Sequence, residues 1–237
     1  MCEHYVARSG SPFRLDELWE VTERLERYGL AGFGWGAAWL GSDAKLHSYR
    51  DVRAFRDDPG REAVGRIETT ALLVHLRRPS RLSTLGLADT QPFDDPGGRF
   101  SFSHNGDLRN QKAYRGRYRD AGRLHGRADT EVGARWLEDE WHPDEPVPHL
   151  LGALHDTFGG QANLAVLTAA GDAHHYAGNG ENPVFTFRLG AIGLAGTGIY
   201  SLDRSVFRYV APAATARRLV PIRRTVSLDR EGEPTVA

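Results

Sequence analysis

One cysteine occurs in the 237 residues, and it stands at position 2. A lone cysteine is either a small buried hydrophobe or a nucleophile, and its position bears on the second reading. Initiator methionine is cleaved when the next side chain is small, so loss of Met1 would leave a thiol and a primary amine on the same residue. An α-amine has a pKa of about 7.7 to 8.0, so part of it is neutral near pH 7 and can accept the thiol proton directly or through one water. This is the logic of a threonine activated by its own N-terminal amine, moved to sulfur, and it needs no separate Cys-His pair. Met1 fully retained on active protein would rule out this base.

Three further groups bear on the same chemistry. In Ser103-His104-Asn105-Gly106, the Asn-Gly pair is either a tight hairpin turn or an oxyanion hole. In the second reading the Asn105 amide and the Gly106 N–H point at a carbonyl oxygen as it gains charge, each such donor being worth about 2.7 to 4 kcal/mol. His75-Leu76-Arg77 and Ala128-Asp129-Thr130-Glu131 also have two readings each. Arg77 neutralises a nearby carboxylate, or its guanidinium forks onto a substrate carboxylate with two parallel hydrogen bonds. Asp129 caps the helix behind it, or it receives a substrate ammonium. An amino-acid head group needs one cation and one anion, which this pair would supply.

These residues need elements to carry them. Residues 4–8 form a short strand, and Ser11-Pro12 introduces a helix to about residue 28, with Leu15, Leu18, Val21, Leu25 and Tyr28 at helical spacing and Gly29 as its stop. Residues 33–40 and 45–49 read as a hairpin across Gly41-Ser42-Asp43. Residues 69–76 are an apolar, β-forming run covered on both faces, which delivers His75 and Arg77 to a strand end. Residues 100–104 form another strand, and the basic stretch 109–127 is a long connection without sustained period. Two helices follow, one from near Asp129 that buries Val132, Trp136 and Leu137, the other over 149–158 after Pro143, Pro146 and Pro148. Strands return at 163–168 with 173–176, at 183–188 with 192–195, and at 218–226. Strands, then helices, then strands exclude the regular alternation of a doubly wound parallel sheet. The expected class is α+β, a four-layer αββα sandwich of two mainly antiparallel sheets with outer helices, in a single domain over 1–237.

Composition narrows the partners. A net charge of -1 gives no overall field toward nucleic acid or anionic lipid. Tyr114 and Tyr118 interleave the arginines of 109–127, yet the chain as a whole is not basic, so this stretch is taken as a solvated loop, with an anionic substrate tail or a partner's acidic face as alternatives. No apolar run is long enough to span a bilayer, and a cytoplasmic location is expected. One cysteine makes an intramolecular disulfide or a cysteine zinc cluster impossible. His142, His149, His155, His174 and His175 lack metal-ligand spacing and are taken as surface or packing residues, so neither metal nor cofactor is expected. Gly178-Asn179-Gly180 lacks the Lys-Ser or Lys-Thr pair of a phosphate loop and is taken as a turn.

Five segments, in order, resemble the class II glutamine amidotransferases, which are N-terminal nucleophile hydrolases. They are Met1-Cys2, Phe33-Gly34-Trp35-Gly36, His75-Leu76-Arg77, Thr90-Gln91-Pro92-Phe93 leading to His104-Asn105-Gly106, and Asp129-Thr130-Glu131-Val132. Segments 163–168 and 198–203 look like the stand-alone members, some of which hydrolyse γ-glutamyl compounds other than glutamine, including the one acting in ergothioneine assembly. The resemblance implies the αββα fold, with Cys2 attacking a γ-glutamyl amide, Asn105 and Gly106 forming the oxyanion hole, and Arg77 and Asp129 holding the glutamyl head group. Ser80 falls with them on the substrate side. Arg78-Pro79-Ser80-Arg81 departs from the Trp-Ala-Thr-His of synthase-linked members, Gln91 stands where many relatives have His, and Phe33 replaces an acidic residue. These departures affect the pocket and not the thiol, and they weigh against free glutamine as the substrate. The alternatives are a glutaminase subunit that hands ammonia to a separate synthase, or a catalytically silent binding or scaffold protein with the same fold. The expected partners are a small-molecule γ-glutamyl substrate and either a synthase or further copies of the chain in a homo-oligomer.

Overall fold

A computed structural model describes residues 2–199 and 204–237. Met1, and positions 200–203 of the second-half resemblance, lie outside the described residues. Two antiparallel sheets stack face to face. The first holds β1 (Glu3–Arg14), β2 (Trp35–Leu40), β3 (Leu46–Asp51), β4 (Glu68–Leu76), β9 (Val184–Leu189), β10 (Ile192–Thr197) and β11 (Thr215–Leu219), in the order β11-β9-β10-β1-β4-β2-β3. The second holds β5 (Phe93–Asp94), β6 (Phe100–Leu108), β7 (Gly160–Thr168), β8 (Ala173–Ala177), β12 (Arg224–Leu228) and β13 (Pro234–Val236), in the order β13-β12-β8-β7-β6-β5.

Strand alternation sorts side chains into three apolar layers. Tyr5, Ala7, Leu72, Val74 and Leu76 point outward from the first sheet and meet Val21 and Leu25 of α1 (Trp19–Gly29). Phe100, Phe102, Leu164 and Val166 point outward from the second sheet against α4 (Asp129–Glu140) and α5 (Val147–Phe158). Between the sheets lie Val6, Ala38, Ala71, Leu73, Ala165, Leu167, Ala173 and Ala195. Small side chains on this inner layer let the two sheets approach to the usual spacing of about 10 Å. The four-layer α+β sandwich is therefore the observed fold.

Several boundaries differ from expectation, each for a physical reason. β1 runs on through Ser11-Pro12 to Arg14, with its register to β4 shifting between Arg8 and Phe13. An irregularity of this kind tolerates a proline that cannot donate to the ladder. The helix begins only at Trp19, after a 3-10 turn over Leu15–Leu18, and ends on Leu30 in the left-handed conformation at φ 54°. The stretch 109–127 is not all loop, because it contains α3 (Lys112–Asp120). Arg117 and Arg123 reach Asp139, Arg123 also reaches Glu138, the buried Tyr118 hydroxyl donates to Asp139, and Tyr114 packs on Phe158, so α3 is fixed by its contacts with α4 and α5. The single strand expected at 218–226 is two, with β11 in the first sheet and β12 in the second. Two short helices, α2 (Gly60–Gly65) and α6 (Phe207–Val210), complete the outer layer of the first sheet.

Candidate active site at the open end of the two sheets

Cys2 lies just before β1, and its neighbour across the ladder is set by register. Glu3 pairs with Leu76 and His4 with His75, so the next step brings Cys2 beside Arg77 at the end of β4. The sulfur is held against the following peptide: the Arg78 N–H donates to Cys2 Sγ at 3.3 Å, and Sγ lies 3.6 Å from the Arg78 carbonyl oxygen. Cys2 is part-buried at a cavity of about 400 Å³ that Arg77, Ser80, Gly106 and Asp129 also line. Burial pushes the thiol above its ordinary value, against the lowering pull of the Arg78 N–H and of Arg77. A thiol in that state needs a base.

The second sheet brings the amide. Asn105 and Gly106 are not a hairpin turn, because β6 continues through them to Leu108, with Asn105 opposite Asn163 and Gly106 opposite Ala162 on β7. Ser103 Oγ meets His4 Nδ1 at 2.9 Å and His75 Nδ1 at 2.7 Å, so this face of β6 looks into the inter-sheet layer. Asn105, two residues on, shares that face toward the Cys2 end. It is fully buried, and neither its Nδ2 nor its Oδ1 has a protein partner. Gly106 sits at φ 138°, and a Cβ there would stand 1.6 Å from the Gln161 carbonyl oxygen, so only glycine fits.

Arg77 is 4% exposed. Its guanidinium donates to the carbonyls of Gly86 (3.4 Å) and Thr84, and it meets no carboxylate in an ion pair among the described residues. Burial lowers its affinity for the proton, with Cys2 and Asp89 pulling the other way. Asp129 is the first residue of α4 and not its cap. Its Oδ2 accepts the Leu108 N–H at 2.8 Å and its Oδ1 the Thr130 N–H at 3.0 Å, which ties the end of β6 to the helix. Asp89 instead covers the start of α4, with Oδ1 accepting the N–H of Arg127 and of Ala128 at 2.6 Å. Ser80 is exposed at the rim.

Some contacts at the site are not visible in the sequence. Gln91 brackets the His104 peptide: Nε2 donates to the His104 carbonyl at 3.1 Å and Oε1 accepts its N–H at 2.7 Å, which fixes the backbone one step before Asn105. Gly36 makes room for it, since a Cβ there would lie 2.3 Å from the Gln91 carbonyl oxygen. His4, Ser103, His75 and His175 form a buried cluster beneath Cys2, with His175 edge-on to His4 at 4.6 Å. Burial, then the neighbouring imidazoles, drive His4 well below its ordinary value; burial and then Arg77 do so for His75. Burial also takes His175 down to about 3. The only hint lies in period-two spacing, His4 with Cys2 and Ser103 with Asn105. His174 and His175 are buried packing residues and not surface ones. Among the described residues, no group of three His, Cys, Asp and Glu side chains is arranged to hold a metal ion. No helix there is long and apolar enough to cross a membrane.

With this geometry in place, similar solved structures are informative about the fold. The glutamine phosphoribosylpyrophosphate amidotransferase from B. subtilis, complexed with ADP and GMP, matches with a TM-score of 0.77 at 16% identity, covering 100% of this chain and 49% of that one. The allosteric regulatory enzyme of purine biosynthesis gives 0.76 at 16% identity, over 100% and 48%. This chain thus spans about half the length of both. A glutamine aminotransferase class-II domain protein from Silicibacter pomeroyi gives 0.62 at 18% identity, over 99% of this chain and 98% of that one. No protein-family model matches the sequence, and no curated protein does.

Proposed function

We propose that this chain, which has the fold of the class II glutamine amidotransferases, is a stand-alone amidohydrolase that cleaves a γ-glutamyl amide through a thioester on Cys2. The observation that carries the reading is the convergence at one cavity of the Cys2 thiol, a buried guanidinium without a carboxylate partner, the Asp129 carboxylate and Gly106, with the buried, unpartnered amide of Asn105 next to Gly106 in β6. A buried unsatisfied amide costs about 1 to 3 kcal/mol, and a buried unpaired cation costs more. Both costs are offset when a zwitterionic head group and a developing oxyanion occupy the site.

In this reading Arg77 forks onto the α-carboxylate of the glutamyl group, and Asp129, whose oxygens keep lone pairs beyond their two N–H bonds, accepts the α-ammonium. Removal of Met1 gives Cys2 a free amine, which takes the thiol proton. The thiolate attacks the γ-carbonyl carbon, and the oxygen gains charge toward the Asn105 amide and the Gly106 N–H. The tetrahedral species collapses with cleavage of the C–N bond, and the amine leaves with the proton that the α-amine had taken. Water then attacks the thioester, releasing glutamate and the Cys2 thiol. No cofactor or metal enters these steps.

The site also serves the second reading, a glutaminase subunit that passes ammonia to a separate synthase; in two structural neighbours the same fold is joined to about as much chain again. That reading predicts low activity alone and stimulation by a partner. A silent scaffold predicts that Cys2 resists 6-diazo-5-oxo-norleucine. The Cys2→Ala protein tests the leading reading: release of glutamate from γ-glutamyl amides should fall to background, and full retention would refute it.

A further inference from the structure

The cavity at Cys2 is lined by more cations than a glutamyl group can use. Six basic residues, Arg77, Arg78, Arg81, Arg109, Lys112 and Arg127, face three carboxylates, Asp89, Asp107 and Asp129. Arg77 and Asp129 are taken by the head group. Of what remains, Asp89 is engaged by two backbone N–H groups. Asp107 accepts the Gln161 N–H at 3.2 Å and pairs with Arg109 at 3.2 Å. Among the described residues the side chains of Arg78, Arg81, Lys112 and Arg127 enter neither an ion pair nor a hydrogen bond.

The neighbouring arginines of the same basic stretch behave otherwise. Arg117 and Arg123 pair with Asp139 and Glu138, and Arg115 donates to the carbonyls of Arg127 and Ala128. Around α3 the charges on the α4 side are thus neutralised, while Lys112 and the flanking Arg127 are left unpaired at the cavity. Arg78 and Arg81 come from a different segment, the one after β4, and line the same space. Unpaired cations gathered around one concavity focus a positive field there and draw in an anion. Ammonia, the product from glutamine, would give this rim nothing to hold.

We propose that the amine released from the γ-glutamyl substrate carries an anionic group, a carboxylate or a phosphate, bound by the rim of Arg78, Arg81, Lys112 and Arg127. This rests on the amidohydrolase reading and deepens it, assigning the rim as the subsite for the leaving group. Guanidinium groups suit either anion through bidentate hydrogen bonds, and Lys112 adds a point charge. The substrate class is then a γ-glutamyl conjugate of an amino acid, a small peptide or a phosphorylated amine, in place of free glutamine.

Two matched pairs of substrates test this with the full chain after Met1 removal. They are γ-glutamylglycine against γ-glutamylglycinamide, and γ-glutamylphosphoethanolamine against γ-glutamylethanolamine. The expected result is a kcat/KM at least about tenfold higher for the anionic member of one or both pairs at low ionic strength. The preference should shrink near 1 M salt, where the screening length falls to about 3 Å. It should also collapse toward unity in the Arg81→Gln, Lys112→Gln double variant, a ratio that partial misfolding leaves unchanged. The pair with the larger ratio identifies carboxylate or phosphate. Release of glutamate from all four compounds with both ratios within about threefold of one, or a preference that survives the double variant, overturns the rim and leaves the amidohydrolase reading standing. No release from any compound, together with no alkylation of Cys2, overturns that reading itself.

Discussion

Asn105 offers a separation between chemistry and stability that few active-site residues allow. Its backbone belongs to the β6–β7 ladder, but its side-chain amide is fully buried with both polar atoms unpartnered. In Asn105→Ala the ladder survives and no protein hydrogen bond is lost. The small void left by truncation is set against removal of an unsatisfied amide worth about 1 to 3 kcal/mol. Net stability should therefore change by less than about 1 kcal/mol, or about 2 to 4 °C in Tm at this chain length. Catalysis should respond very differently, because one oxyanion donor is worth about 2.7 to 4 kcal/mol, a 10² to 10³-fold fall in kcat. KM should move little, since the donor acts on charge that develops after binding. Continuous detection of released glutamate gives kcat and KM, and a thermal melt of the same preparation gives Tm. A kcat within about threefold of the parent, or a fall in kcat matched by a Tm loss beyond about 8 °C, would refute the oxyanion role.

Other outcomes follow from the same geometry. Arg77→Lys keeps the charge and loses the fork, so kcat/KM for γ-glutamyl amides should fall by about tenfold or more, read by steady-state kinetics. Gln91→Ala removes both bonds to the His104 peptide; at about 1 kcal/mol each it should lower Tm by about 4 to 8 °C and also reduce kcat, since the backbone before Asn105 is released. Burial holds His175 down at about 3 and His174 at about 4. Their folded values lie below the unfolded one of about 6.5, so unfolded chain binds the extra protons and stability is lost as pH falls below about 6.5. From pH 7 to pH 5 each should cost about 2 kcal/mol, measured by urea unfolding at the two pH values; unchanged stability over that range would contradict their buried neutral state.

Much of the site was legible because its residue types are chemically unusual where they occur. A cysteine at position 2, an arginine at the end of an apolar run and an aspartate at a helix start each pointed to a strand or helix terminus, and the fold gathers them at one end of the sheets. Asn105-Gly106 stayed ambiguous because the pair has the same local chemistry in a turn as in a strand, and only pairing with β7 decides. Gln91 stood out only as a departure in the pocket, and Ser103 only as part of the Asn105-Gly106 segment. The grip of Gln91 on the His104 peptide and the contacts of Ser103 with His75 and His4, across 28 and 99 residues, lie between distant segments and were beyond reach. The helix α3 was hidden for a related reason. Its two tyrosines, Tyr114 and Tyr118, pack into the core beside α4 and α5 and Arg123 pairs with Asp139 and Glu138, and a short polar stretch does not record such partner helices.

The account stands or falls on Cys2 as a nucleophile that carries its own amine. Mature protein treated with 6-diazo-5-oxo-norleucine and mapped by peptide mass spectrometry tests that claim most directly. The predicted result is one adduct on an N-terminal peptide that begins at Cys2, forming in step with the loss of glutamate release. An adduct elsewhere, or full activity on protein whose every N-terminal peptide still begins with Met1, would contradict it.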